Sequence, residues 1–330
     1  MFESSYFSPV EHGIIIAIYM LIIAVCLLGS CLVWVVVLNK PQLRSPMNYL
    51  LLNMSMSDIV SSLSLYPYLF IVDPTKLTSS NVILSKLCML TEGLTPFFVA
   101  SATSLLTLCA IGFNRYMAVK YPIDQSLRMG RKSVLIFSGL AWIFGLVCMI
   151  PGMISFKWDD KFKTCARNWG LIKSTPYRLS IMLLGLVLPM SFLLLSYFGI
   201  FLKAREIIPF NGPMANTFWR TRMQLRKAEK MLGVLILVYI ICWFPFITYW
   251  LLATVSNFFP ETLQGVQNSL RWLRITVLFC SLNGALNPFV YTLGSSDLKK
   301  DMKIFARSAI QRVTCRTGAR VHPATEDRIQ

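Results

Sequence analysis

Charge is scarce in this chain. Only 14% of its 330 residues are Asp, Glu, Lys or Arg and 55% are apolar, whereas a soluble domain carries about 25% charge. With a mean hydropathy of +0.59 the chain has too little polar surface to cover itself in water. Histidine is scarcer still. His12 and His322 lie at opposite ends, and no His/Asp/Glu or Cys/His constellation exists for a membrane enzyme to use. The nine cysteines show no metal-ligand spacing and no thiol-redox motif. A soluble enzyme, a disordered chain and a disulfide scaffold are therefore excluded. Acidic residues are few, 15 against 32 basic ones, for a formal charge of +17. In a soluble protein that balance would point to nucleic acid. In a membrane protein it needs no nucleic-acid partner, because cytoplasmic loops concentrate Lys and Arg.

What the sequence has is long apolar runs. A bilayer core of about 30 Å is crossed by about 20 helical residues. Seven stretches qualify: Gly13–Leu38, Tyr49–Ile71, Cys88–Val119, Val134–Ile154, Arg178–Leu202, Ala228–Thr254 and Leu270–Leu293. Met1–His12 reads as a short polar lead, and the first run is too long for a signal sequence. With the N-terminus outside, about two-thirds of the basic residues fall in the cytoplasmic loops and tail, the bias expected of that orientation. After the seventh run, Leu298, Met302 and Phe305 recur at helical spacing with lysines between them. That pattern suits an amphipathic helix on the inner leaflet, in contact with membrane lipids. The expected fold is an all-α membrane protein, a seven-transmembrane helix bundle with a short amphipathic helix after the seventh span. Its divisions are an extracellular N-terminus over 1–12, the bundle over 13–293, the surface helix over 294–307 and a cytoplasmic tail over 308–330. Cys315 in the tail is an acylation candidate or a plain free thiol.

Six cysteines lie in or near the runs and read as small buried hydrophobes. Only Cys88, at the outer end of the third run, and Cys165, in the loop before the fifth, share the oxidising side. A disulfide between them would pin that loop across the mouth of the bundle.

Polar groups inside a membrane are costly and so point to function. Asp58 stands within Leu51–Ile59, and the third run ends in Asn114–Arg115–Tyr116. Trp142 lies in the fourth run, and Pro189 and Tyr197 in the fifth. The sixth carries Cys242–Trp243–Phe244–Pro245 and the seventh Asn287–Pro288–Phe289–Val290–Tyr291. In this order on seven spans, these residues resemble the rhodopsin-like (class A) G-protein-coupled receptors from about Gly13 to Phe305. The resemblance implies a receptor that passes the binding of an extracellular small molecule or peptide to a heterotrimeric G protein, and to arrestin, by moving the sixth helix. Asn114, Arg115, Tyr116, Tyr197, Trp243, Pro245, Asn287, Pro288 and Tyr291 then form the coupling and activation switch. It also implies a sodium ion among Asp58, Ser104, Trp243, Asn283 and Asn287, donors that suit a hard cation. A hydrated network without an ion, or a protonated Asp58, is the alternative.

The chain departs from the family pattern in four places. Ser30 replaces an amide and would have to bridge to Asp58 in its stead. Gly284 replaces a frequent Ser, removing one ligand. Cys88 lies two residues further from Arg115 than is common, which hints at a bulge near Thr95–Pro96. Asn114 replaces the acid beside the arginine.

The family's light-sensing branch needs a lysine where this chain has Ser281, and Leu270–Tyr291 holds none, so retinal is excluded and no cofactor is expected. The aminergic branch's Asp is replaced by Phe97. What remains is an aromatic cavity lined by Phe97, Phe98 and Ser101 from the third run. Trp243, Phe246, Ile247 and Trp250 recur at i, i+3, i+4 and i+7 on the sixth. Plain helix packing accounts for such a stripe equally well. Near the rim, Glu92, Arg178, Arg271 and Arg274 are candidates for charged ligand groups, with Glu92 also able to pair with an arginine. The competing class is a seven-helix transporter or proton-translocating protein using Asp58 as relay. It lacks the internal repeat and the paired broken helices common in transporters.

Overall fold

The computed structural model describes residues 8–70, 80–91, 94–121, 124–161, 164–167, 171–206, 215–255, 270–294, 299–305, 307, 308 and 311. Nearly all are helical. In chain order the helices are α1 (Pro9–Asn39), α2 (Pro46–Phe70), α3 (Asn81–Thr91), α4 (Thr95–Lys120), α5 (Arg131–Ile154), α6 (Leu171–Met182), α7 (Leu188–Glu206), α8 (Ala215–Val255) and α9 (Leu270–Gly294). Residues 299–305 form a further short helix. A π-helical turn, Leu183–Val187, joins α6 to α7. It stands just ahead of Pro189, whose missing N–H breaks the regular ladder there.

Six helical stretches are long and apolar enough to cross a membrane. The seventh of the bundle, α2, is less apolar because Asn48, Asn53, Asp58 and a series of serines interrupt it. Its 25 residues still extend about 37 Å, more than the hydrocarbon thickness. Ser55, Ser57, Asp58 and Ser62 are buried along with Leu50, Leu51, Leu52 and Met54. This face of the helix is buried between neighbours, so its polar atoms meet protein, while Met56, Leu63 and Tyr66 elsewhere on it are exposed.

The third apolar run is two helices, not one. Thr91 ends α3, and Leu94 adopts a left-handed φ of 45° before α4 begins. Such a φ is costly for a residue with a Cβ, and it marks a full break where the spacing hinted at a bulge. Across the break the Thr95 hydroxyl donates to the Met89 carbonyl at 3.2 Å. Cys88 consequently sits on the separate α3.

A hairpin of β1 (Phe156–Asp159) and β2 (Thr164–Arg167) pairs antiparallel, with Trp158 opposite Cys165. Cys165 is bonded to Cys88. The Trp158 backbone N–H also donates to Ser85 Oγ at 3.2 Å. A disulfide and a hydrogen bond thus tie the hairpin to α3.

Glycines set the closest helix approaches. A Cβ on Gly29 of α1 would lie 2.8 Å from the Pro288 ring of α9, and one on Gly145 of α5 would lie 2.9 Å from the Val99 carbonyl oxygen of α4. Between α2, α4 and α5, Asn53 donates to Thr107 Oγ1 at 2.7 Å and accepts the Trp142 indole N–H at 3.1 Å. At 41 residues α8 is far longer than its apolar run.

Candidate functional site

At the disulfide end, α1 is fastened to α9. Ser8 and Glu11 form a capping box at the start of α1, satisfying N–H groups that a helix start leaves free. Glu11 also accepts a 2.7 Å ion pair from Arg271. Arg274 Nη1 lies 3.4 Å from His12 Nδ1, and the Tyr19 hydroxyl donates to the Arg274 carbonyl at 2.6 Å. Both sides of the Glu11–Arg271 pair are nearly half exposed, which limits it to about 1 kcal/mol or less. Arg178 reaches across to the Ala253 carbonyl at 3.4 Å. Glu92 lies outside the described residues.

Below this rim the expected aromatic residues of α4 and α8 come together as a column of ring contacts. Phe98 contacts Phe246 at 5.2 Å and meets Phe97 edge-on at 5.3 Å. Phe97 stacks over Trp243 at 6.4 Å. Phe246 stacks on Trp250 at 5.9 Å, and Trp243 on Tyr239 at 5.5 Å. Only 1% of Phe97 is exposed. Rings at these distances pack favourably against one another. Phe98, Ile247 and Trp250 are the half-buried members. Ser101 donates to the Phe97 carbonyl and Ser281 to the Leu278 carbonyl, each within its own helix. Both hydroxyls are buried and keep only acceptor capacity.

Beneath the column lies Asp58, 2% exposed. Asn287 Nδ2 donates to both of its carboxylate oxygens, at 3.2 and 3.0 Å. Ser104 Oγ, Asn287 Oδ1 and Trp243 Nε1 are buried with no hydrogen-bond partner among the described residues, and Asn283 is buried too. Such orphaned oxygens are costly unless something else satisfies them. Carboxylate, hydroxyl and amide oxygens are a donor set that fits a hard cation. Ser30 does not bridge to Asp58. Its buried hydroxyl makes no hydrogen bond to Asp58 among the described residues, being shorter than the amide it replaces. Gly284 fits tightly: a Cβ would meet Cys26 Sγ at 3.2 Å and Asp58 Cβ at 3.3 Å. The family's frequent serine would crowd this site.

At the other end, Asn114 Oδ1 accepts the Met129 backbone N–H at 3.1 Å. In the same loop the Asp124 carboxylate accepts two hydrogen bonds from Ser126, which hold it below the usual carboxylate range. Among the described residues no carboxylate pairs with Arg115, whose Nε is buried without a partner. The charge acting on it is that of Arg128, of like sign. Tyr116 packs on Gly199 of α7 and Tyr197 on Gly233 of α8. Tyr291 is fully buried, and Pro245 and Pro288 lie inside α8 and α9.

The "7 transmembrane receptor (rhodopsin family)" sequence pattern matches residues 29–291. The chain belongs to the rhodopsin family of seven-transmembrane receptors. It is a receptor, not an enzyme, and a multi-pass membrane protein. It is 24% identical to a QRFP-like peptide receptor of Branchiostoma floridae over 93% of this chain and 81% of that one. To neuromedin-U receptor 2 of Rattus norvegicus it is 26% identical, over 83% and 70%. To somatostatin receptor type 2 of Mus musculus it is 23% identical, over 90% and 78%.

Sequence reasoning missed three contacts in this rhodopsin-family receptor. The Ser8–Glu11 capping box carries a readable signature, Ser followed three residues later by Glu. The Asn53–Thr107–Trp142 link and the Asn114–Met129 bond join residues far apart in sequence, and no local pattern announces them.

Proposed function

We propose that this receptor recognises a peptide at the disulfide end, on the extracellular side, and activates a heterotrimeric G protein at the Arg115 end by movement of α8. The similarity to a protein named a peptide receptor supports a peptide over a small molecule. The observation that carries the reading is the aromatic column. It runs from half-buried Phe98 and Trp250 down to Trp243, two residues before Pro245, so a ligand pressing on its upper rings acts on the turn of α8 that the proline weakens. Peptide termini and side chains would meet the rim charges Arg178, Arg271 and Arg274, with Arg271 exchanging its Glu11 partner, and the sequence adds Glu92 as a further candidate.

Sodium fits the Asp58 site. Asp58, Ser104, Asn283 and Asn287 would hold it, and it would supply positive charge to a carboxylate that Asn287 alone hydrogen-bonds among the described residues. A cation held in one packing and not the other stabilises that packing by mass action. Asn114, Arg115, Tyr116, Tyr197, Pro288 and Tyr291 make up the coupling end.

The decisive experiment reconstitutes the purified receptor with G proteins in sealed vesicles and screens neuropeptides for accelerated guanine-nucleotide exchange. A peptide-dependent acceleration, lost on Trp243→Ala at equal folded receptor, is expected. Peptide-independent solute or proton flux across the vesicle wall, with no exchange response, would instead establish a transporter.

A further inference from the structure

A groove of about 180 Å³ opens where α1 ends, between that helix and residues 299–308. Val36 and Lys40 form one wall, and Asp301, Ile304, Phe305 and Ser308 the other. The second set recurs at i, i+3, i+4 and i+7, one face of a helix. Val36 is buried, whereas Ile304 and Phe305 leave 52% and 39% of their surface exposed. Arg44 Nη2 donates to the Leu38 carbonyl at 2.6 Å. The volume is below the roughly 300 Å³ at which pockets for soluble ligands begin.

The groove straddles two environments. Its apolar floor lies at the end of the Val10–Asn39 membrane stretch, and its mouth carries both charges. Lys40 Nζ and Asp301 Oδ1 stand 3.6 Å apart, with side chains 52% and 21% exposed. At that separation and exposure the pair is loose and contributes little, so it can open to take in a molecule that satisfies both ends. The complement is a molecule with an anion and a cation a few ångströms apart on an apolar tail. We infer that this groove binds one phospholipid whose zwitterionic headgroup carries a primary ammonium, as phosphatidylethanolamine does. Its phosphate meets Lys40, its ammonium donates to Asp301, and the first part of an acyl chain lies along Val36, Ile304 and Phe305. A primary ammonium has three N–H donors for the carboxylate. A choline headgroup has none, and a glycerol headgroup leaves Asp301 facing net negative charge. The lipid thus ties the surface helix to α1, and its headgroup sets the affinity.

The test uses the full-length receptor in bilayer discs of phosphatidylcholine doped with equal small fractions of isotope-labelled phosphatidylethanolamine and phosphatidylglycerol. Lipids retained after transfer to mild detergent are counted by native mass spectrometry. The expected result is retention of one phosphatidylethanolamine over phosphatidylcholine by about fivefold, the factor given by ~1 kcal/mol from one exposed ion pair. Asp301→Asn should erase that preference while leaving phosphatidylcholine retention in place. Ile304→Trp keeps both charges and fills the groove, and it should lower retention of every lipid with an unchanged unfolding temperature. Equal retention of ethanolamine and choline lipids by the unaltered receptor would overturn the inference. So would a preference for phosphatidylglycerol, or an ethanolamine preference that survives both substitutions.

Discussion

Asn114 stands where most of the rhodopsin family places an acid, and its carbonyl is engaged by the Met129 N–H rather than by Arg115. The guanidinium therefore lacks its charged neighbour, and a charge-assisted hydrogen bond is about twice as strong as a neutral one. Asn114→Asp preserves an acceptor for Met129 and adds a charge that attracts both Arg115 and Arg128. Agonist-free nucleotide exchange should fall about fivefold at equal surface expression, the equivalent of ~1 kcal/mol. Unchanged or raised basal exchange would show that another contact holds the resting packing. At Asp58, sodium should lower basal exchange in the unaltered receptor and have no effect in Asp58→Asn. An equal sodium response in both would remove the cation from the site. Asp58 was legible because a carboxylate inside an apolar run stands out, and Asn114–Arg115 because it falls in order with the other motifs of the rhodopsin-like pattern. Their partners were not. Whether Ser30 reaches Asp58, or which N–H faces Asn114, depends on fractions of an ångström between helices that no spacing encodes.

Helix contacts here are set by what is missing from them. Val99 presents a backbone oxygen to Gly145, and a backbone atom cannot rotate away as a side chain can. Gly145→Ala should therefore cost about 1–3 kcal/mol, the usual range for overpacking, read as a lower unfolding temperature in detergent. Gly139→Ala, on the same helix with open space around it, is the control and should stabilise slightly through helix propensity. An equal effect of both substitutions would mean that α4 and α5 are further apart than described. The spans themselves were readable because twenty apolar residues have few other uses. The break between α3 and α4 was only half legible: Gly93, Pro96 and the Cys88–Arg115 spacing hint at an irregularity, but apolar residues on both sides carry the run across it. The first turns of α8 were silent: Ala215–Lys227 carries no apolar run, so nothing marked it as part of a transmembrane helix.

For the molecule as a whole, the disulfide joins two small elements, α3 and the hairpin, which a second contact through Ser85 also holds. Cys88→Ser and Cys165→Ser should each cost about 2–5 kcal/mol. The double substitution should cost no more than either single one, because both remove the same bond. Thermal unfolding of the three variants measures this, and additive losses would mean that the cysteines act separately. The bundle beneath the cap should keep its aromatic column, because α4 and α8 supply it and neither carries a bridged cysteine. One consequence of the long α8 is mechanical. Pro245 stands ten residues from Val255 and thirty from Ala215, giving arms of about 15 and 45 Å. The helix is a lever pivoted well off centre. Ten degrees of extra bend would carry the short tip under ~3 Å and the long tip about 8 Å, given a rigid rise of roughly 1.5 Å per residue. A displacement no wider than one methyl group near the aromatic column is thus geared up about threefold at the far tip, at a matching loss of force.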